Sequence, residues 1–408
     1  MNLLTVDTVE NAWDKIKTVM QGQQPGIEHI GLESAINRIL AEDIIAAENV
    51  PGFRRSIVDG YALHSADTAA AGDSIPVMLK LCGSVEMGEA AGFSINSGEC
   101  AYVPTGGMIP AGADAVAMIE YAEQCGKNIA VYEAVAPGKG LAQADEDLRQ
   151  GELVLQRGTC LRPQETGLLA SLGIEHIPVF KKLRLALFST GNELAAANEK
   201  LRPGKIRDIN TNFLAALAEQ RGFHVIKSAV IPDDAQMLEN AVRSSLNDAD
   251  IIAVSGGSSR GDRDYTAQVF LRITENKVFT QGLALKPGKP AIFGFEKKTS
   301  SLLCGLPGHP VSAFFVFELF LSRLYRSLSF QKEVLPVQAF IDRNIPGAEG
   351  KTCCQPVILR QEANAIIAEP VFGKSGMISS LTRADAYIII DQNKEGIKKG
   401  DLVWACRL

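Results

Sequence analysis

Long apolar runs, paired cysteines and an excess of positive charge are all missing from this 408-residue chain. The most apolar stretch, Val311 to Leu321, is interrupted by Glu318 and falls well short of the ~20 residues that span a bilayer. The opening residues, MNLLTVDTVENAWDKI, hold no basic segment leading into an apolar one, so a secretory leader is not expected. Eight cysteines are scattered as Cys82, Cys100, Cys125, Cys160, Cys304, Cys353, Cys354 and Cys406. None forms C-x-x-C. Reduced thiols in a cytoplasmic protein are expected, rather than disulfides or structural zinc. A formal charge of −6 lacks the basic footprint of a nucleic-acid binder. There is no G-x-x-x-x-G-K-[ST] loop, no ordered Ser/His/Asp set and no prominent nucleophile. Metal-assisted attack at phosphate is therefore favoured over covalent catalysis. Internal repeats and low-complexity tracts are absent as well.

What is present centres on Ala249–Tyr265, ADIIAVSGGSSRGDRDY. Ile251-Ile252-Ala253-Val254 has the character of a buried parallel strand. The Ser255-Gly256-Gly257-Ser258-Ser259 turn lets backbone N–H groups converge on an anion, because no Cβ blocks the approach. Asp262 and Asp264 follow, and Thr266–Ile273 reads as a helix. Such a loop lies at the carboxyl end of a strand, where open α/β sheets bind ligands. A phosphate cradle beside acids suggests a phosphorylated ligand held with a divalent metal. An ordinary loop with helix-capping aspartates is the simpler alternative.

The length calls for two to four domains. The fold class expected is α/β and multidomain. A mixed helical and strand domain takes residues 1–45 and 137–178, with helices over TVENAWDKIKTVM and LESAINRILAEDI. An inserted small β domain takes 46–136. A doubly wound parallel-sheet domain takes 179–328, from its regular β/α alternation. A C-terminal β-barrel takes 329–408. The helix Val311–Ser327 is apolar on nearly all sides and is expected between domains.

Within 179–328 the notable loops fall on one sheet edge: Ser189–Glu193, Asp233-Asp234, Ser255–Asp264, Lys286–Pro290 and Gly305–Ser312. Glu193, Asp233 and Asp264 offer hard oxygen ligands for Mg²⁺. Lys286 and Lys289 are suited to an oxyanion. Taken singly, the lysines read as a solvated turn and His309 as a hydrogen-bonded loop residue.

Eight motifs in order, SIVDGYAL, PTGGMIPAGADAV, STGNEL, IRDIN, SGGSSRGDRDY, KPGKP, GLPGHPVSA and SGMISS, span almost the whole chain. Together they resemble the molybdopterin molybdenumtransferase family, which includes MoeA and the E domain of gephyrin. The resemblance implies four domains and a homodimer. Its active site would lie between the α/β domain of one subunit and the inserted and C-terminal domains of its partner. The implied substrates are adenylylated molybdopterin and molybdate, with Mg²⁺ as cofactor and AMP leaving as molybdenum is ligated. Molybdopterin adenylyltransferase and molybdoenzyme-maturation proteins would be partners; nucleic acid and membrane would not.

By the same resemblance Glu193, Asp233 and Asp264 match catalytic or metal-binding acids, and Asp59 and Thr105 match functional positions on the inserted domain. Ser255, Gly256, Gly257 and Ser258 match the phosphate loop. Lys286, Lys289, Ser312 and Ser375 match the molybdate pocket, with Pro307, Gly308 and Pro310 shaping the last loop. Departures are also present. His309 and Asn192 replace the usual Asn and Asp, Ala142 replaces an arginine, Asp145 stands at a glycine and Asp385 at an asparagine. The strand Cys354-Gln355-Pro356 lacks an expected basic residue. Fewer cations and an added carboxylate predict weaker molybdate binding, in an active enzyme or in a paralogue with altered preference. A non-catalytic scaffold and an adenylyltransferase are the competing functions.

Overall fold

The computed structural model describes residues 6–256 and 265–408. The helix Val9–Val19 begins at Thr8, whose hydroxyl accepts the Asn11 N–H and satisfies an otherwise orphaned donor. Its buried stripe of Val9, Ala12, Trp13 and Ile16 packs into the core of the α/β unit. The second helix expected near the N-terminus does not form. Leu32–Ser34 is a single 3₁₀ turn, and Ile27–Gly31 is a strand paired antiparallel with His176–Phe180. Asn37 adopts φ 62°. The N–H groups of Asn37, Leu40 and Ala41 are taken by the carbonyls of Leu161, Thr159 and Pro178. Distant backbone partners override the helical spacing of the apolar residues. Ala35, Leu40, Leu148, Leu161, Leu169 and Val179 then share one core, so the chain leaves this unit and returns to it.

The excursion is a six-stranded sheet that runs Ala115–Met118, Gly60–Leu63, Glu99–Val103, Val77–Ser84, Asn128–Val131, Ala122–Cys125 in spatial order. It packs its two faces separately, around Leu63, Cys100 and Ile129 and around Val85, Ile95 and Val103.

The α/β unit carries a sheet in the order His224–Ile231, Arg184–Thr190, Ile251–Ser255, Ser301–Leu306, Ile292–Glu296, Val278–Gln281. The first four strands are parallel. The remaining edge is finished by two antiparallel strands, so the expected parallel core sits in a mixed sheet. Side chains alternate across it. Leu185, Leu187, Ile251 and Ala253 face Leu214, Leu217 and Phe315. Ala186, Phe188, Ile252 and Val254 face Leu238, Val242 and Phe270. Helices therefore cover both faces.

The long apolar helix is Pro310–Val316, a π-helical turn Phe317–Ser322, and Arg323–Leu328. Every residue of its first segment is buried. Phe315 meets Tyr387 of the last unit edge-on at 5.4 Å, so this helix lies between two units as its composition suggested. Glu318 is buried but satisfied, accepting from Arg221, Ser322 and Arg326. A buried carboxylate is tolerable only when paired in this way.

In the last unit Thr352–Glu362, Ala365–Pro370, Val337–Ile341, Leu402–Arg407 and Ala386–Ile390 pair in turn, and the fifth pairs back to the first. This is a closed five-stranded barrel. The short strand Leu285–Lys286 of the α/β unit adds to it in parallel. Among the described residues no helix is long and apolar enough to cross a membrane.

Candidate functional site

The parallel register brings Ser189, Ser255 and Leu306 side by side at the carboxyl ends of three strands. The loops beyond them, together with the barrel, enclose a cleft of about 1220 Å³. Of the residues expected in the site, it gathers Glu193, Asp233, Ser255, Gly256, Lys286, Lys289, Pro307, Gly308, Pro310, Ser312 and Ser375. Gly257, Ser258 and Asp264 lie outside the described residues. Asp59 and Thr105 do not line this cleft. They are exposed on the inserted sheet, where the Thr105 N–H and hydroxyl both donate to one carboxylate oxygen of Asp59, at 2.7 and 3.1 Å.

A buried asparagine ties the floor together. Asn210, in the first turn of the helix Asn210–Gln220, donates to Ser255 Oγ at 2.7 Å and to the Gly308 carbonyl at 2.8 Å. Ser255 Oγ in turn donates to the Pro307 carbonyl at 3.3 Å. Three loops are thereby held by one hydrogen-bonded knot. The Ser255 hydroxyl is committed to the protein. Gly256 sits at φ 100°, and a Cβ there would come within 2.4 Å of the Thr190 carbonyl oxygen. Only glycine lets these two loops approach so closely.

The acids are organised by the Asn192 turn. Asn192 N–H donates to Asp233 Oδ2 at 3.0 Å, and Asp233 N–H donates to Asn192 Oδ1 at 3.2 Å. The Lys205 ammonium donates to the Asn192 carbonyl. The Glu193 carboxylate folds back against Gly191, where a Cβ would meet it at 2.7 Å. The neighbouring Asp234 is spent on capping the next helix, accepting the Met237 N–H at 2.7 Å. Among the described residues no three His, Cys, Asp or Glu side chains cluster for a metal. Glu193 and Asp233 still fit Mg²⁺, which keeps several waters and is held by one or two carboxylates with substrate phosphates. Glu193 is exposed and both acids line the cleft.

The cationic lining comes from other loops. Lys286 and Lys289 flank the Pro287-Gly288 turn, and Arg207 and Lys351 also line the cleft. Arg207 and Asn210 fall within the IRDIN motif, but no role is assigned to either from sequence, and Lys351 lies in no motif; nothing local distinguishes a lysine at a strand start from a solvated one. Cys354 faces the same space, but burial pushes its thiol up, so it is not a ready thiolate nucleophile.

His309 Nδ1 and Ser375 Oγ lie 2.7 Å apart, and Val311 N–H donates to the Ser375 carbonyl at 3.1 Å. The barrel of the same chain thus forms one wall, where the resemblance implied a partner's C-terminal domain. The expected extra carboxylate in the oxyanion pocket is also corrected. Asp385 accepts the Leu359 N–H within the barrel and does not line the cleft. Ala142 pairs with Arg55 in a short ladder and does not line the cleft either.

Three family models match consecutive parts of the chain. They are the MoeA N-terminal region (domain I and II) over residues 7–173, the "Probable molybdopterin binding domain" over 186–326, and the MoeA C-terminal region (domain IV) over 338–406. The molybdopterin molybdenumtransferase of Haemophilus influenzae is 31% identical over 402 residues, covering 96% of both chains. Two crystal structures of the molybdopterin biosynthesis MoeA protein from Pyrococcus horikoshii superpose with TM-scores of 0.82 and 0.83, at 33% and 30% identity. They cover 99% of this chain and 99% and 100% of theirs.

Proposed function

The chain belongs to the MoeA family of molybdopterin molybdenumtransferases, and from that premise we propose that it inserts molybdate into adenylylated molybdopterin with release of AMP. The chain acts in molybdenum cofactor biosynthesis. One observation supports the finer reading above the rest: a single cleft holds exposed lysines from one set of loops and carboxylates from another.

The two sets suit the two ends of the reaction. Molybdate is a tetrahedral dianion, so Lys286, Lys289 and Ser312 bind it through charge-assisted hydrogen bonds. The adenylate's phosphates lie toward the Asn192 turn, on the acidic side of the cleft, where a divalent cation would bridge them to the carboxylates. Glu193 and Asp233 are the residues that would hold Mg²⁺ there. Bound Mg²⁺ supplies charge neutralisation on the phosphate oxygens. The Asn192–Asp233 pair keeps one carboxylate aimed before substrate arrives, so little reorganisation remains for the transition state. Water attacks the pyrophosphate, AMP leaves with one phosphate and the other stays on the molybdopterin, and the dithiolene sulfurs ligate molybdenum as a molybdate oxygen departs as water with the thiol protons.

The exposed Asp59–Thr105 pair, unused in its own cleft, completes the cleft of a second copy in a homodimer. The protein works in the cytoplasm. Molybdopterin adenylyltransferase supplies its substrate and molybdoenzyme-maturation proteins take its product. Glu193→Gln and Asp233→Asn test the assignment. Each is expected to lower AMP release at least about 100-fold, as loss of a charged transition-state contact does, with adenylate binding kept within a few fold. Retention of parental AMP release by both would remove these acids from the reaction.

A further inference from the structure

We propose that Lys351 is a molybdate-binding residue of this chain and supplies the cationic contact from the barrel side. The proposal rests on the molybdenum-transfer reading and adds a ligand to that site.

The sheet register carries the argument. Leu285 pairs with Thr352 and Lys286 with Cys353, in parallel. Strand side chains alternate, so Lys351, Cys353 and Gln355 lie on the same face of the ladder as Lys286. Strand spacing and rise put the Lys286 and Lys351 Cα atoms about 8 Å apart. Both side chains are exposed and line the cleft. Among the described residues neither ammonium joins an ion pair. Two unpaired cations facing one cleft at this spacing match a tetrahedral dianion held between them.

The neighbouring positions offer no substitute. Gln355 occupies the stretch where a basic residue is expected. Its amide nitrogen donates to the Pro356 carbonyl at 3.0 Å and the Val371 carbonyl at 2.7 Å. Both amide hydrogens are used, which leaves only an acceptor and nothing to offer an oxyanion. Pro356 has no N–H, and Cys354 is buried with its thiol proton held. Lys351 lies four residues before Gln355 on the same strand face, at the start of Thr352–Glu362. The missing charge is thereby restored from a different position, one the motif pattern does not register.

The test titrates inorganic molybdate into the full-length parent, Lys351→Met, Lys351→Arg and Lys286→Met proteins, and separately titrates adenylylated molybdopterin without molybdate. The expected result is about tenfold weaker molybdate binding for Lys351→Met, recovery to within about threefold for Lys351→Arg, and unchanged adenylate binding. Parental molybdate affinity in Lys351→Met, with loss in Lys286→Met, would overturn the role of Lys351 and leave the function standing. Equal loss of molybdate and adenylate binding would make Lys351 a general phosphate contact and would also overturn it. Absence of molybdate binding by the parent protein would instead bring down the molybdenum-transfer reading, and Lys351 with it.

Discussion

At the residue scale the site is built from side chains that hold other side chains. Asn192 departs from the usual aspartate of its motif, yet its amide and main chain clasp Asp233 from both sides. An aspartate there would set carboxylate against carboxylate unless a metal bridged them. Asn210 does the same work beneath the floor by linking Ser255 to the Pro307–Gly308 loop. Gly256 permits that closeness. Gly256→Ala is expected to destabilise the protein by about 1–3 kcal/mol, from forced left-handed φ and a clash with Thr190, and to weaken adenylate binding. Urea unfolding and ligand titration check both; parental stability would show that the loop yields at no cost. Glu193, Asp233, Lys286, Lys289 and Gly256, which line the cleft, could be picked out from sequence because each belongs to a short motif or loop with an intrinsic chemical reason. Lys351 stands in no motif, and Asn210 closes the IRDIN motif without a role that the motif discloses. Their roles depend on which strand lies beside which, and that is set by contacts up to about a hundred residues away.

At the element scale the best-read parts were those whose sequence and environment agree. The three inner parallel strands, Arg184–Thr190, Ile251–Ser255 and Ser301–Leu306, are apolar runs buried on both faces, as doubly covered strands must be, whereas the edge strand His224–Ile231 is mixed in composition and partly exposed. The Pro310–Val316 segment is almost wholly apolar and buried at every residue. The segment after Leu32 was misread because its Leu, Ala and Ile spacing suits a helix, while its backbone donors are claimed by 159–161 and 176–178. Local propensity loses to such non-local pairing. The helix Pro163–Ser171 shows the opposite case, a start fixed locally. Glu165 accepts from the Arg162 guanidinium and from the Arg162 N–H, and the guanidinium contact chiefly holds its carboxyl down at about 2. The ordinary glutamate value is about 4.3. The folded value is the lower one, so the contact stabilises fully above pH ~4.3 and is lost as pH falls toward 2. Glu165→Gln is expected to cost about 1 kcal/mol at pH 7, with the difference closing between pH ~4 and ~2 in urea unfolding. A pH-independent difference would mean that packing, not charge, sets the cost.

At the scale of the whole molecule the α/β unit and the barrel of one chain make the cleft, joined by the Leu285–Lys286 strand, the His309–Ser375 contact and the Phe315–Tyr387 packing. The inserted sheet holds its own polar pair away from that cleft. If a second copy receives it, Asp59→Asn and Glu193→Gln should complement each other in trans. Random exchange makes half of the dimers mixed, each with one intact site, so activity should recover to about a quarter of the parent's. An active Asp59→Asn protein would place Asp59 outside the reaction, and two inactive proteins that stay inactive after subunit exchange would place Asp59 and Glu193 of one chain in the same site. The barrel's closure in cis makes the first outcome the expected one, since only the inserted sheet then needs to come from outside.

The central claim is that one cleft couples cleavage of the adenylate to capture of molybdenum. AMP release from adenylylated molybdopterin, followed with Mg²⁺ in the presence and absence of molybdate, tests it most directly. Release that accelerates with molybdate and yields molybdenum-loaded cofactor is the predicted result. Tight adenylate binding with no AMP released under either condition would contradict it.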